Sequence, residues 1–143
     1  MELIGENGRL DLNVISFSEM SSNDFWEANW LLTSIIGSFP NFAVNIEMTL
    51  RTDDFARFSV DLENLLIGNY QIAMFQNLEE NLFLRISIEE SMTSFKVIGK
   101  IIQPDNLGNA FHFSFETDLS SLTSFKGDLN KTLLRFPIIG VEE

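Results

Sequence analysis

The chain has 143 residues with 21 acids, 9 bases, no cysteine and a formal net charge of −12. This length fits one domain spanning 1–143. The missing thiols exclude disulfides and Cys-ligated metals, and the charge disfavours direct contact with a nucleic-acid backbone.

The N-terminal stretch Met1-Glu2-Leu3-Ile4-Gly5-Glu6 carries acids where an export signal would carry bases. The longest apolar run, Trp30 to Phe39, is interrupted by Thr33, Ser34 and Ser38 and is too short to cross a bilayer. These features read as a cytoplasmic protein without a membrane anchor. Fourteen phenylalanines point to an aromatic-rich core.

In chain order, Met1 to Glu6 and the segment from Arg9 onward read as a hairpin turned at Asn7-Gly8, a pair that accepts the positive φ of a type I′ turn. The second strand covers Leu10, Leu12 and Val14 and extends toward Phe17. A polar loop over Glu19 to Asn23 follows, and Trp30 to Phe39 forms a third strand. Phe42, Val44, Ile46, Met48 and Leu50 then alternate with Ala43, Asn45, Glu47 and Thr49, the period of a half-buried strand.

The period changes at Phe55, Phe58, Leu62, Leu65 and Leu66, which share one face of a helix. Thr52 or Asp53 is placed to cap its start, and Asp53 and Asp54 suit the positive end of its dipole. Gly68-Asn69 ends it.

A second round follows, with strands over Tyr70 to Phe75, Leu82 to Glu89, Phe95 to Ile101 and Phe111 to Phe115. Pro104 to Asn109 is a turn-rich loop. Thr117-Asp118 caps a last helix with Leu119, Leu122, Phe125, Leu129 and Leu133 inside, weakened by about 1 kcal/mol at Gly127. Phe136-Pro137 closes that helix.

The expected class is therefore α+β and mostly antiparallel β: a sandwich or half-barrel of about eight strands with two amphipathic helices. The repeated order suggests an internal ββββα duplication, with pseudo-repeats at 3–66 and 70–136.

No catalytic set emerges. His112 is the only histidine and lies on the strand face opposite Phe111, Phe113 and Phe115. No Gly-x-Ser-x-Gly segment, phosphate-binding glycine loop or calcium-type Asp-x-Asp-x-Asp-Gly loop is present. No catalytic, metal or cofactor residue is assigned, and the chain reads as a non-enzyme.

The most unusual stretch is Asp24-Phe25-Trp26-Glu27-Ala28-Asn29-Trp30-Leu31, which holds both tryptophans. Aromatics beside fixed polar groups make either a core anchor or a binding hot spot. Read as anchors, Trp26 and Trp30 lie four apart and face one side of a strand, leaving Glu27 and Asn29 as exposed neighbours. The segment resembles the Asp-x-Trp-Asp-Ala-Asn-Trp-Leu stretch of the WapI-type immunity proteins, with Asp24, Trp26, Ala28, Asn29, Trp30 and Leu31 matching and Glu27 standing for Asp. Phe111 to Asp118 is similar to that family's strand entering its last helix, and Phe55 to Leu66 to its middle helix.

The resemblance implies contact-dependent inhibition as the setting and neutralisation of a cognate, nuclease-like toxin as the role. The partner it implies is a basic toxin domain, whose substrate groove an acidic protein complements. The partner-facing residues expected are Glu27, Asn29, Glu79, Glu80, Glu89 and Glu90. The competing reading is a small-ligand module with an aromatic-lined β cavity.

Overall fold

The computed structural model describes residues 1–18, 22–91, 93–105 and 107–142. The period-two stretches become two antiparallel meanders of four strands, each followed by a helix. The first half runs β1 (Glu2–Gly5), β2 (Gly8–Phe17), α1 (Phe25–Ala28), β3 (Trp30–Phe39), β4 (Phe42–Arg51) and α2 (Thr52–Leu66). The second runs β5 (Ile72–Gln76), β6 (Leu82–Ile88), β7 (Ser94–Ile102), β8 (Ala110–Asp118) and α3 (Leu119–Arg135). In each sheet the spatial order equals the chain order, as short turns between sequential strands require.

The sheets share one core. Leu10, Leu12, Ile35 and Leu50 from the first sheet and Leu84, Ile86, Val97 and Phe115 from the second belong to a single buried cluster. Helix α2 adds Phe55, Phe58, Leu62 and Leu65, and α3 adds Leu122, Phe125 and Leu129. The Phe39 ring packs on Phe111, Phe113 and Phe115 at centroid distances of 5.7, 5.2 and 6.0 Å. Phe113 fills the space over Gly99 so closely that a Cβ there would lie 2.0 Å from the ring. The aromatic side chains expected to line a cavity therefore pack on one another.

Sheet crossing explains the first hairpin. Gly5 pairs with Gly8, so the turn is Glu6-Asn7 rather than the positive-φ Asn7-Gly8 turn expected. The glycines answer to β8 instead. A Cβ on Gly5 would meet the Glu116 carbonyl at 1.8 Å, and one on Gly8 would meet Phe115 at 2.7 Å.

Other expectations need correction. A third, four-residue helix, α1, occupies Phe25–Ala28, where the sequence offered no helical period. The N-cap of α2 is Arg51, without a side-chain cap, because Thr52 and Asp53 are drawn to neighbouring groups. Asp118 does cap α3, accepting from Ser121 N at 2.7 Å. Leu119 is 43% exposed rather than inside, since it begins the helix before α3 settles on the core. Strand β5 starts at Ile72, because Tyr70 N still donates to Asn64 of α2. Part of the loop read at Glu19 to Asn23 and Asn106 of the later loop fall outside the described residues. Among those described, no helix is long and apolar enough to cross a membrane.

Candidate functional site

The Trp-rich segment forms the wall of an arginine cage. Asp24 starts α1 by accepting from Trp26 N at 2.9 Å and Glu27 N at 3.1 Å, the usual work of an N-cap. That turn aims the carbonyls of Phe25 and Trp26 at Arg51, the last residue of β4. Arg51 is buried. Its guanidinium donates to Trp26 O at 2.9 Å, to Phe25 O at 3.0 Å and to Asp53 Oδ1 at 2.8 Å. Its carbon sits 5.0, 4.8 and 5.0 Å from the ring centres of Phe25, Trp26 and Trp30. A buried cation is tolerable only with such a full set of partners.

The two tryptophans are anchors of this cage rather than core residues on one strand face. Trp30 is half-buried and donates its Nε1 to Trp26 O at 2.8 Å. Trp26 lies on α1 and is 45% exposed. Trp30 opens β3 just after α1 ends, and the two indoles are joined through the Trp30 Nε1 bond to Trp26 O and their shared contact with Arg51.

Asn29 is not an exposed neighbour. It is completely buried, with Nδ2 donating to Phe25 O and Ile139 O and Oδ1 accepting from Ile139 N. Its amide thus ties the C-terminal tail to α1, with both donors used and no surface open to a partner. Gly140 follows at φ +76°, where a Cβ would also meet Asn23 O at 2.9 Å.

A chain of ion pairs carries the cage across the surface. Asp53 Oδ2 accepts from Arg57 at 3.3 Å, and Arg57 also pairs with Asp54. Asp54 Oδ2 then accepts Leu78 N at 3.1 Å, fixing the β5–β6 turn that carries Glu79 and Glu80. Burial raises the Asp54 carboxyl above its ordinary range, against the opposing pull of Arg57 and the Leu78 N–H.

The exposed rim of this end holds Trp26, Leu78 (57% exposed), Glu27, Glu79 and Glu80. Glu27 accepts from Ser22 Oγ at 3.0 Å. Glu80 adopts φ 58° at the tight turn. Glu89 and Glu90 are not part of this rim. They follow the far end of β6, whose seven residues span about 23 Å.

The sequence reading missed Arg51, Asp53, Asp54 and Leu78 as parts of the site. One signal was present in Arg51, a lone cation ending an apolar alternation just before two acids.

The acid excess is uneven. The outward face of the second sheet carries Arg85, Lys96, Lys100 and the exposed His112, and none of these makes an ion pair among the described residues. Among those residues, no group of three or more His, Asp or Glu is placed to hold a metal ion.

Among solved structures, the fold is similar to that titled "Structure of the plant transcriptional regulator PBF-2", with a TM-score of 0.50 and 8% identity over 95% of this chain and 80% of that one. At that identity the likeness is one of fold alone. No curated protein gives a significant match. The sequence model of the immunity protein WapI-like family matches residues 2–137, and the chain therefore belongs to that family.

Proposed function

We propose that this immunity protein neutralises a cognate, nuclease-like toxin in the cytoplasm by binding it directly, and that the end carrying Trp26 is the docking surface. The observation that supports this reading is the exposed edge of Trp26 with Glu27 next to it in the chain, joined through Arg51, Asp53, Arg57 and Asp54 to the turn that exposes Leu78, Glu79 and Glu80. A large aromatic that is held rigid from behind yet open in front is the usual chemistry of an interface hot spot. The acids around it complement a basic partner and speed encounter. A standard patch of about 800 Å² would cover roughly a tenth of the 8052 Å² surface. The role asks for no reaction at this surface: the protein acts by occupying the toxin.

Co-expression with the toxin encoded beside it tests the reading. The expected result is rescued growth and a complex that co-purifies, with Trp26→Ala losing about 2 kcal/mol or more of affinity. Growth that stays arrested, with no complex recovered, would overturn it. Glu89→Lys with Glu90→Lys, at the opposite end of β6, is the matched control and is expected to leave affinity unchanged.

A further inference from the structure

Two of the four sheet margins, and the end of a third, are protected. β1 is crossed by β8 and α3: its Ile4 N donates to Ser121 Oγ at 2.9 Å, and its Ile4 carbonyl accepts from Thr117 Oγ1 at 2.7 Å. β5 has only five residues, and short edges resist pairing. The C-terminal part of β8 lies in the crossing with β1.

β4 differs. It is ten residues long and pairs with β3 alone among the described residues. From Phe42 to Leu50 it holds none of the Lys or Pro residues that blunt an edge. Such a margin presents alternate N–H and C=O groups outward with no strand to receive them.

The free start of β8 lies opposite. Ala43 to Ile46 on one wall and Asn109 to Phe111 on the other enclose a groove of about 360 Å³, which Ile101 and Gln103 also line. Every lining residue is uncharged, in a chain with 21 acids and 9 bases. The side-chain amides of Asn45, Gln103 and Asn109 supply donors and acceptors, while Val44, Ile46 and Phe111 supply apolar contact. Phe42 is 65% exposed beside it, with its ring 6.2 Å from that of Phe111.

We infer that this groove takes an extended, uncharged segment of another protein, added as a strand against β4. Main-chain hydrogen bonding to an open edge supplies affinity in strand addition, and side-chain pockets supply selectivity. Neutral walls select against charged segments, whose desolvation nothing here would offset. A second copy fits less well. Its own β4 would arrive already bonded to β3, whereas the groove has a wall on both sides. The site stands apart from the Trp26 end, since the six residue steps along β4 from Asn45 to Arg51 span about 20 Å.

A phage library of random short peptides, panned on the intact chain, tests this. The enriched peptides are expected to be uncharged with alternating apolar positions. Bound, they should slow amide exchange at residues 42–47 and 110–112. Ala43→Lys with Asn45→Lys alters two exposed positions and should weaken the peptides about tenfold or more, whereas Trp26→Ala should leave them unaffected. Failure to enrich any peptide, enrichment of charged peptides, or binding insensitive to the lysine pair would each overturn the assignment. A dimer in sedimentation that the lysine pair dissociates would also overturn it, by giving the edge to a second copy. Because toxin rescue is not a readout here, this result and that for the Trp26 end fail separately.

Discussion

Replacing Arg51 by methionine removes one buried guanidinium and three charge-assisted hydrogen bonds, and the structure limits the damage. Phe25 O keeps a donor in Asn29 Nδ2 at 2.9 Å, and Trp26 O keeps Trp30 Nε1 at 2.8 Å. Asp53 keeps Arg57 at 3.3 Å. Only Asp53 Oδ1 is left without its donor, on a carboxylate still paired through Oδ2, so the loss lies below the about 3–5 kcal/mol typical of breaking a buried pair. Desolvation of the arginine is also recovered, while the ring contacts of three aromatics are lost. The net expectation is about 2–3 kcal/mol for Arg51→Met, which refills the space. For Arg51→Ala, which leaves a cavity, it is about 3–4 kcal/mol. Arg51→Lys keeps the charge but loses the planar fork, at about 1–2 kcal/mol. Urea unfolding followed by tryptophan fluorescence measures all three, because both indoles face the substituted group. Losses below about 0.5 kcal/mol for both Met and Ala, with native emission unchanged, would refute the view that this cage organises the end of the molecule.

At Asp54 burial raises the folded carboxyl above 3.8. The folded chain then holds that proton more tightly, so the contribution is fully present below pH 3.8 and is lost as pH rises through the raised value. Wild type should therefore lose stability relative to Asp54→Asn across that window, and a flat or opposite difference in paired urea titrations would contradict it. Gly127 lies within α3, and a Cβ there would touch nothing within 4 Å; Gly127→Ala should raise stability by about 0.5–1 kcal/mol in the same titration. Gly99→Ala should do the reverse, because Phe113 occupies the space and must shift; thermal melting is expected to fall by several degrees. Glu79→Lys with Glu80→Lys should slow toxin association at low salt and leave unfolding unchanged, and an association rate indifferent to both charge and salt would remove these acids from the docking surface.

What could be read in advance was local. The alternation through β4 and the Phe55–Leu65 stripe of α2 need only their own residues, and both elements form where the pattern put them. What could not be read was settled at long range. Arg51 meets Phe25 and Trp26 across 26 and 25 positions, and Asn29 meets Ile139 across 110. Helix α1 has four residues and no period of its own; it exists because Asp24 caps it, Arg51 binds its carbonyls and the tail braces it. Thr52 and Asp53 looked like caps because the rule weighs the helix alone, whereas here Arg51 outbids the backbone for the carboxylate. Gly8 was read as turn chemistry, while the crossing strand that excludes side chains at Gly5 and Gly8 lies more than a hundred residues away.

The octapeptide can now be divided by what each side chain is free to do. Asp24 is spent on the α1 cap, Asn29 on the tail, and Trp30 on Trp26 O and the Arg51 guanidinium. Phe25, Ala28 and Leu31 are buried. Asp24, Trp26 and Glu27 are the exposed positions, and of these only Trp26 and Glu27 lie clear of the α1 cap. A motif composed this way marks the scaffold, because six of its eight positions would have to be kept to hold the cage whichever toxin was met. If the proposed docking at this end holds, discrimination between toxins falls to residues that the cage positions without constraining: the outer edge of Trp26, Glu27, and the Leu78–Glu80 turn that Asp54 holds in place. Glu27, the one position here that departs from the related stretch, falls in this free group. Exchanging it for Asp should leave stability within about 0.5 kcal/mol and shift toxin preference, as competition between two related toxins would register. An equal loss of stability from Glu27→Asp and Asn29→Asp would show that the two classes of residue are not separate.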